Sequence, residues 1–155
     1  MTQRLGRCRL SCIIPVLNEA RICLLRKMSR KGIEMDKITT MVVDDSPFAS
    51  KQIQDVVEEN GYEVVAYAAN GEDGIKLYDE MHPDIVIMDI IMPGLDGLET
   101  AQILMKKHPD VKIMMLSSLC DASTLEEVRG IGLKYLIPKP WEDDVLLATL
   151  EMLSR

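Results

Sequence analysis

From Ile38 to Leu153 the chain alternates short runs dense in Val, Ile and Met with longer stretches whose apolar residues recur every three or four positions. Short apolar runs fit strands buried on both faces, and their alternation with helical spacing predicts repeated β-α units around a parallel sheet. Five units emerge. Strands are expected over about 38–43, 63–67, 84–88, 111–116 and 134–137, and helices over about 47–59, 71–81, 98–107, 122–130 and 141–153. The punctuation agrees: Ser46 can cap the first helix, Pro47 suits its first turn and Asn60-Gly61 its end, while His82-Pro83 and Pro109 stop the second and third. Inward faces follow from the same spacing. They include Ala101, Leu104 and Met105 in the third helix, Leu125 and Val128 in the short fourth, and Val145, Leu146, Thr149, Leu150 and Leu153 in the fifth.

At 155 residues the chain has length for one ordinary domain and an extension. It is 47% hydrophobic but only 4% aromatic, so its core must rest on aliphatic residues and on its 11 Met. Charge divides the chain sharply. Residues 1–34 carry eight Lys/Arg against two acids, a net +6, whereas residues 35–155 carry ten against 23, a net −13. A body so acidic is unsuited to direct nucleic-acid binding, which needs clustered cations to meet phosphates. Cys8, Cys12, Cys23 and Cys120 have neither C-x-x-C spacing nor a nearby His, which points to free thiols in the cytoplasm. No apolar run approaches the ~20 residues of a membrane span.

The chemistry gathers where the apolar runs end. Asp44-Asp45 follows the first, Asp89 the third, Ser117 the fourth and Lys139 the fifth. In a doubly wound sheet these carboxyl ends are where ligands bind. Three carboxylates brought together would repel unless neutralised, and a hard divalent cation such as Mg2+ resolves the conflict. Asp89 is the candidate nucleophile for a phosphoryl group, with Lys139 paired to a phosphoryl oxygen and Ser117 donating to another. Pro140 can hold Lys139 in place through a cis peptide bond.

Together, Val42-Val43-Asp44-Asp45-Ser46, the run from Pro83 to Gly97 that includes Met88-Asp89 and Met92-Pro93-Gly94, Ser117-Ser118 and Lys139-Pro140 resemble the receiver domains of two-component response regulators. The likeness spans about residues 36–155. It implies an α/β fold of flavodoxin/CheY type, a doubly wound five-stranded parallel sheet of order 2-1-3-4-5 with five helices. It further implies that Asp44 and Asp45 are the acidic metal pair, that Asp89 is the phosphoacceptor and a metal ligand, and that the backbone carbonyl of Ile91 completes the protein's Mg2+ ligands. Ser117 takes the switch-hydroxyl position and Lys139 that of the lysine. The implied partners are a sensor histidine kinase and a downstream protein that reads the fourth helix, fifth strand and fifth helix. Leu136 departs from the pattern, since that position usually carries an aromatic; Tyr135, one residue earlier, should face the other side of the sheet. Apolar Ile91 and Leu119 flank the acceptor and the hydroxyl, predicting slow self-dephosphorylation.

Blander roles compete for several of these residues. Asp44-Asp45 alone reads equally well as a strand-end turn or cap. Asp96-Gly97 reads as a turn before the third helix, His82 and His108 as helix C-terminal caps, and Trp141 as an anchor for the fifth helix. A stand-alone receiver, a non-enzymatic switch with chemotaxis as its candidate pathway, is the leading functional expectation, with a phosphorelay intermediate as its near alternative. A phosphatase of the haloacid-dehalogenase type would need acids two residues apart after the first strand, which Asp44-Asp45-Ser46 lacks. A receiver that binds partners without phosphate fits the intact acidic set poorly. Residues 1–35 are expected to be a basic extension or an overrun, with Met35 as an alternative start. Within them Ser11–Glu19 resembles the opening strand of family-2 glycosyltransferases, and Arg4 to Leu17 faintly suggests a secretory signal that lacks a cleavage site.

Overall fold

The computed structural model of the protein describes residues 37–155. The expectations for residues 1–35 lie outside the described residues. The order of elements is β1 (Thr39–Val43), α1 (Pro47–Glu59), β2 (Glu63–Ala68), α2 (Gly71–Met81), β3 (Ile85–Asp89), α3 (Gly97–Lys107), β4 (Lys112–Ser117), α4 (Ala122–Gly130), β5 (Leu136–Pro138) and α5 (Asp143–Leu153). All pairings are parallel and the sheet order is β2-β1-β3-β4-β5, as expected.

Strand side chains alternate between faces, and the core divides accordingly. Met41, Val43, Val86, Met88, Ile113 and Met115 point towards α2, α3 and α4, where Tyr78, Ala101, Leu104 and Val128 meet them. Val42, Ile85, Ile87, Met114, Leu116 and Ile137 point to the other side, against Ile53 and Val57 of α1 and Leu146 and Leu150 of α5. The central strands are thus buried on both faces, which accounts for their unbroken apolar sequence. Tyr135 and Leu136 pack on opposite sides, Tyr135 with the α1/α5 layer and Leu136 with the other.

Several boundaries differ from the sequence expectation by one or two residues. The fifth strand is only Leu136–Pro138 and starts two residues late, since its ladder with β4 runs from Met115↔Leu136 to Ser117↔Pro138. Proline is tolerated there because β5 is an edge strand. The fifth helix begins at Asp143, with Glu142 at the N-cap position, and follows the cis Lys139-Pro140 peptide that the sequence suggested; Trp141 lies before the helix, half-buried against the α1/α5 core. Asp89 and Ser117 are the last residues of β3 and β4 and not the first of the loops beyond.

Helix ends follow local chemistry. Ser46, Asn70, Asp96 and Asp121 each accept a hydrogen bond from the backbone N–H three residues on, at the starts of α1 to α4. His82 and His108 are C-cap residues, as expected, with His82 in the left-handed region at φ 45°. At the lower end of β1, Thr39 and Asp84 exchange hydrogen bonds that fix the start of β3 beside it.

Candidate functional site

Period two decides which strand-end groups meet. Asp44, Asp89 and Lys139 share parity with Val42, Ile87 and Ile137, so all three leave the sheet on the α1/α5 side. The register places β1 beside β3, and Lys139 reaches back across the sheet to both acids. Its Nζ lies 2.6 Å from Asp44 Oδ2 and 2.6 Å from Asp89 Oδ2. The Asp44 side chain is 1% exposed, that of Asp89 8% and that of Lys139 17%. Two carboxylates therefore share one ammonium away from bulk water.

Asp45 has the other parity and is exposed, yet its carboxylate joins the group. One oxygen from each of Asp44, Asp45 and Asp89 lies within 4.8 Å of the others. The Asp44-Asp45-Ser46 turn is braced from within, since Ser46 N–H donates to Asp44 Oδ1 at 2.8 Å. The β3 end is fixed similarly: Ile91 N–H donates to Asp89 Oδ1 at 3.3 Å, Ile90 N–H to the Leu116 carbonyl and Gly97 N–H to the Ile90 carbonyl. Gly97 has a reason beyond the expected turn. A Cβ there would lie 1.9 Å from the Asp89 carbonyl oxygen, so α3 can start against the acceptor strand only with glycine.

Ser117 is fully buried at the end of β4, beside the Lys139 segment through Lys139 N–H to the Ser117 carbonyl at 2.7 Å. Its hydroxyl turns into its own loop and accepts from Leu119 N–H at 3.0 Å. The structure thus brings Asp44, Asp45, Asp89 and Lys139 together and sets Ser117 one strand along. The side chains of Ile91 and Leu119 are exposed above this edge, as is Phe48 in the first turn of α1.

The charges respond to this packing. Burial pushes the Asp89 carboxyl above its ordinary value, outweighing the Lys139 hydrogen bond and charge that pull it down, and the Asp44 charge adds to the rise. Burial acts most strongly against the Lys139 ammonium, but its hydrogen bonds to Asp44 and Asp89 and the charges of those two acids together hold it above the usual lysine value. An acid cluster with one cation is under-neutralised, and its convergent oxygens are the hard donors that Mg2+ prefers.

Two features escaped the sequence reading. Tyr67, on the edge strand β2, donates from its hydroxyl to the Asp44 carbonyl at 3.0 Å. Far from the site, Asp79 of α2 receives Lys107 Nζ at 2.9 Å and His108 Nε2 at 2.7 Å from the end of α3. Neither has a local signal, because each depends on which elements lie side by side.

A family model described as the response regulator receiver domain matches residues 40–151. The chain belongs to that family. The receiver is 38% identical over 115 residues to the chemotaxis protein CheY of Listeria monocytogenes, covering 74% of this chain and 97% of that one. Against CheY of Thermotoga maritima it is 33% identical over 115 residues, with 74% and 96% covered. Among solved structures, the receiver superposes on the CheX-CheY-BeF3-Mg+2 complex from Borrelia burgdorferi with a TM-score of 0.71 at 27% identity, covering 76% of this chain and 90% of that one. The response regulator domain of Thermotoga maritima CheB gives a TM-score of 0.66 at 32% identity, covering 76% and 94%. No helix among the described residues is long and apolar enough to cross a membrane.

Proposed function

We propose that the receiver is a cytoplasmic phosphorylation switch, with Asp89 as the residue that takes a phosphoryl group from the phosphohistidine of a sensor kinase. The observation that carries this reading is the convergence of Asp44, Asp45 and Asp89 on one sheet edge with Lys139 bonded to two of them. An Asp89 carboxylate oxygen forms the new P–O bond as the P–N bond to the kinase imidazole breaks, and the bonding pair returns to the nitrogen. Asp44, Asp45, Asp89 and the carbonyl of Ile91 are the protein groups that would hold Mg2+. Bound there, Mg2+ supplies charge neutralisation for the transferred oxygens.

Lys139 is already at the acceptor and needs only to exchange a carboxylate for a phosphoryl oxygen. Ser117 must release Leu119 N–H or use its free proton to reach the same group. Either motion alters the β4–α4 loop, and with it the α4–β5–α5 surface on which a downstream protein would read the signal. The CheY relatives are matched over nearly their whole length, which supports a CheY-like signalling role and makes chemotaxis the favoured setting over a phosphorelay.

Incubation with Mg2+ and acetyl phosphate tests the reading. One phosphoryl group per chain, lost in Asp89→Asn and in EDTA, is expected by mass spectrometry. Continuous release of phosphate would indicate a phosphatase instead, and an unmodified wild-type chain would indicate a module that works without phosphate.

A further inference from the structure

Asp44 is the first residue after β1 and Pro47 begins α1, so the turn between them lacks the backbone N–H that would ordinarily close on the Asp44 carbonyl three residues earlier. Tyr67 supplies a donor from another strand. Its hydroxyl lies 3.0 Å from that carbonyl oxygen, and among the described residues no other donor reaches it. The register explains how: Tyr67 pairs with Val42, and Asp44 N–H donates to the Ala68 carbonyl, so the ring runs alongside the last two residues of the turn's entry. We propose that Tyr67 is a positioning residue for the metal site, its hydroxyl fixing the Asp44–Asp45 peptide and thereby the direction of the Asp45 carboxylate.

The physical case rests on what holds Asp45 otherwise. Asp44 is anchored by burial, by Lys139 and by Ser46 N–H, but Asp45 is exposed and its side chain has no hydrogen bond among the described residues. Its direction is therefore set by its backbone, and the peptide plane that leads into it carries the carbonyl held by Tyr67. The Tyr67 ring is 42% exposed, so removing the hydroxyl empties no core space. A fixed carboxylate joins a metal with less ordering loss than a free one.

The inference rests on the proposed Mg2+ site, and Tyr67→Phe tests it in the full chain by Mg2+ calorimetry, thermal unfolding in EDTA and amide exchange. Loss of one such hydrogen bond should weaken Mg2+ binding about 2- to 10-fold. The EDTA melting temperature should stay within about 2 °C of wild type, as for a surface substitution. Exchange should quicken at the Asp45 and Ser46 amides and stay unchanged at Met88. Equal Mg2+ affinity in the two proteins overturns the role of Tyr67, as does a loss of affinity matched by general destabilisation and faster exchange at Met88. A wild-type chain that binds no Mg2+ overturns the site itself, an outcome visible before any variant is made.

Discussion

Lys139 occupies the place of a counter-ion in this site, bonded at 2.6 Å to each of two buried carboxylates. Removing it leaves two like charges facing each other in a low-dielectric edge. Lys139→Met should destabilise the metal-free protein by about 3 kcal/mol, the low end for stripping one partner from a buried pair, because Asp89 can take up a proton. Mg2+ should then restore more stability to the variant than it adds to wild type, since it meets no competing ammonium. Denaturant unfolding with Mg2+ and with EDTA checks both; an equal gain in the two proteins would contradict the competition. The apolar neighbours matter on a different step. Ile91 and Leu119 stand exposed over the acceptor and hydroxyl and offer no group to orient an attacking water. The Asp89 acyl phosphate should therefore persist for minutes or longer at neutral pH, and loss within seconds would show that water is positioned some other way.

At the level of elements, α2 and α3 are clamped at their C-terminal ends by Asp79, which Lys107 and His108 both reach. The Lys107 hydrogen bond, then that of His108, holds the Asp79 carboxyl below its ordinary value of 3.8. A lowered carboxyl contributes stability that is present above the unfolded value and disappears as pH falls through the folded one. Asp79→Asn should therefore lower the melting temperature slightly at pH 7, and the difference should close below pH 3.8. The effect is small because the carboxylate is exposed to solvent. This clamp also marks the limit of sequence reading. Strands and helices were legible because unbroken apolar runs such as Ile85–Met88 and Ile113–Leu116 alternate with stretches of helical spacing, and the cap at Ser46 is a local signal, whereas Asp96, read as part of a turn, is the N-cap of α3. The meeting of Asp44, Asp89 and Lys139 followed from strand-end positions and the family pattern. By contrast, Asp79 with His108 and Tyr67 with Asp44 are 29 and 23 residues apart and join only through tertiary placement. The late start of α5 was hidden because Trp141, whose spacing fits the helix, packs on the α1/α5 core ahead of the Glu142 N-cap.

The receiver as a whole sets an acidic surface around a two-sided core, with residues 35–155 at a net −13 and three carboxylates on one edge. Self-repulsion weakens the folded state, and a cation at that edge relieves it in a way that bulk salt does not. A ligand that binds only the folded chain stabilises it by RT ln(1 + [L]/Kd), about 1.4 kcal/mol at ten times Kd. For a domain of this size that corresponds to a rise in melting temperature of roughly 3–6 °C. The expected series is a saturable rise with Mg2+, a smaller and non-saturating one with NaCl at matched ionic strength, and loss of the saturable part in Asp44→Asn. Both core faces contribute strands that end at the site, so the rise should be the same whether followed by Trp141 fluorescence on the α1/α5 side or by far-ultraviolet dichroism of all helices. A saturable response that survives Asp44→Asn would place the cation elsewhere on the acidic surface. Probes that separate would mean that the edge is coupled to one layer and not to the whole sheet.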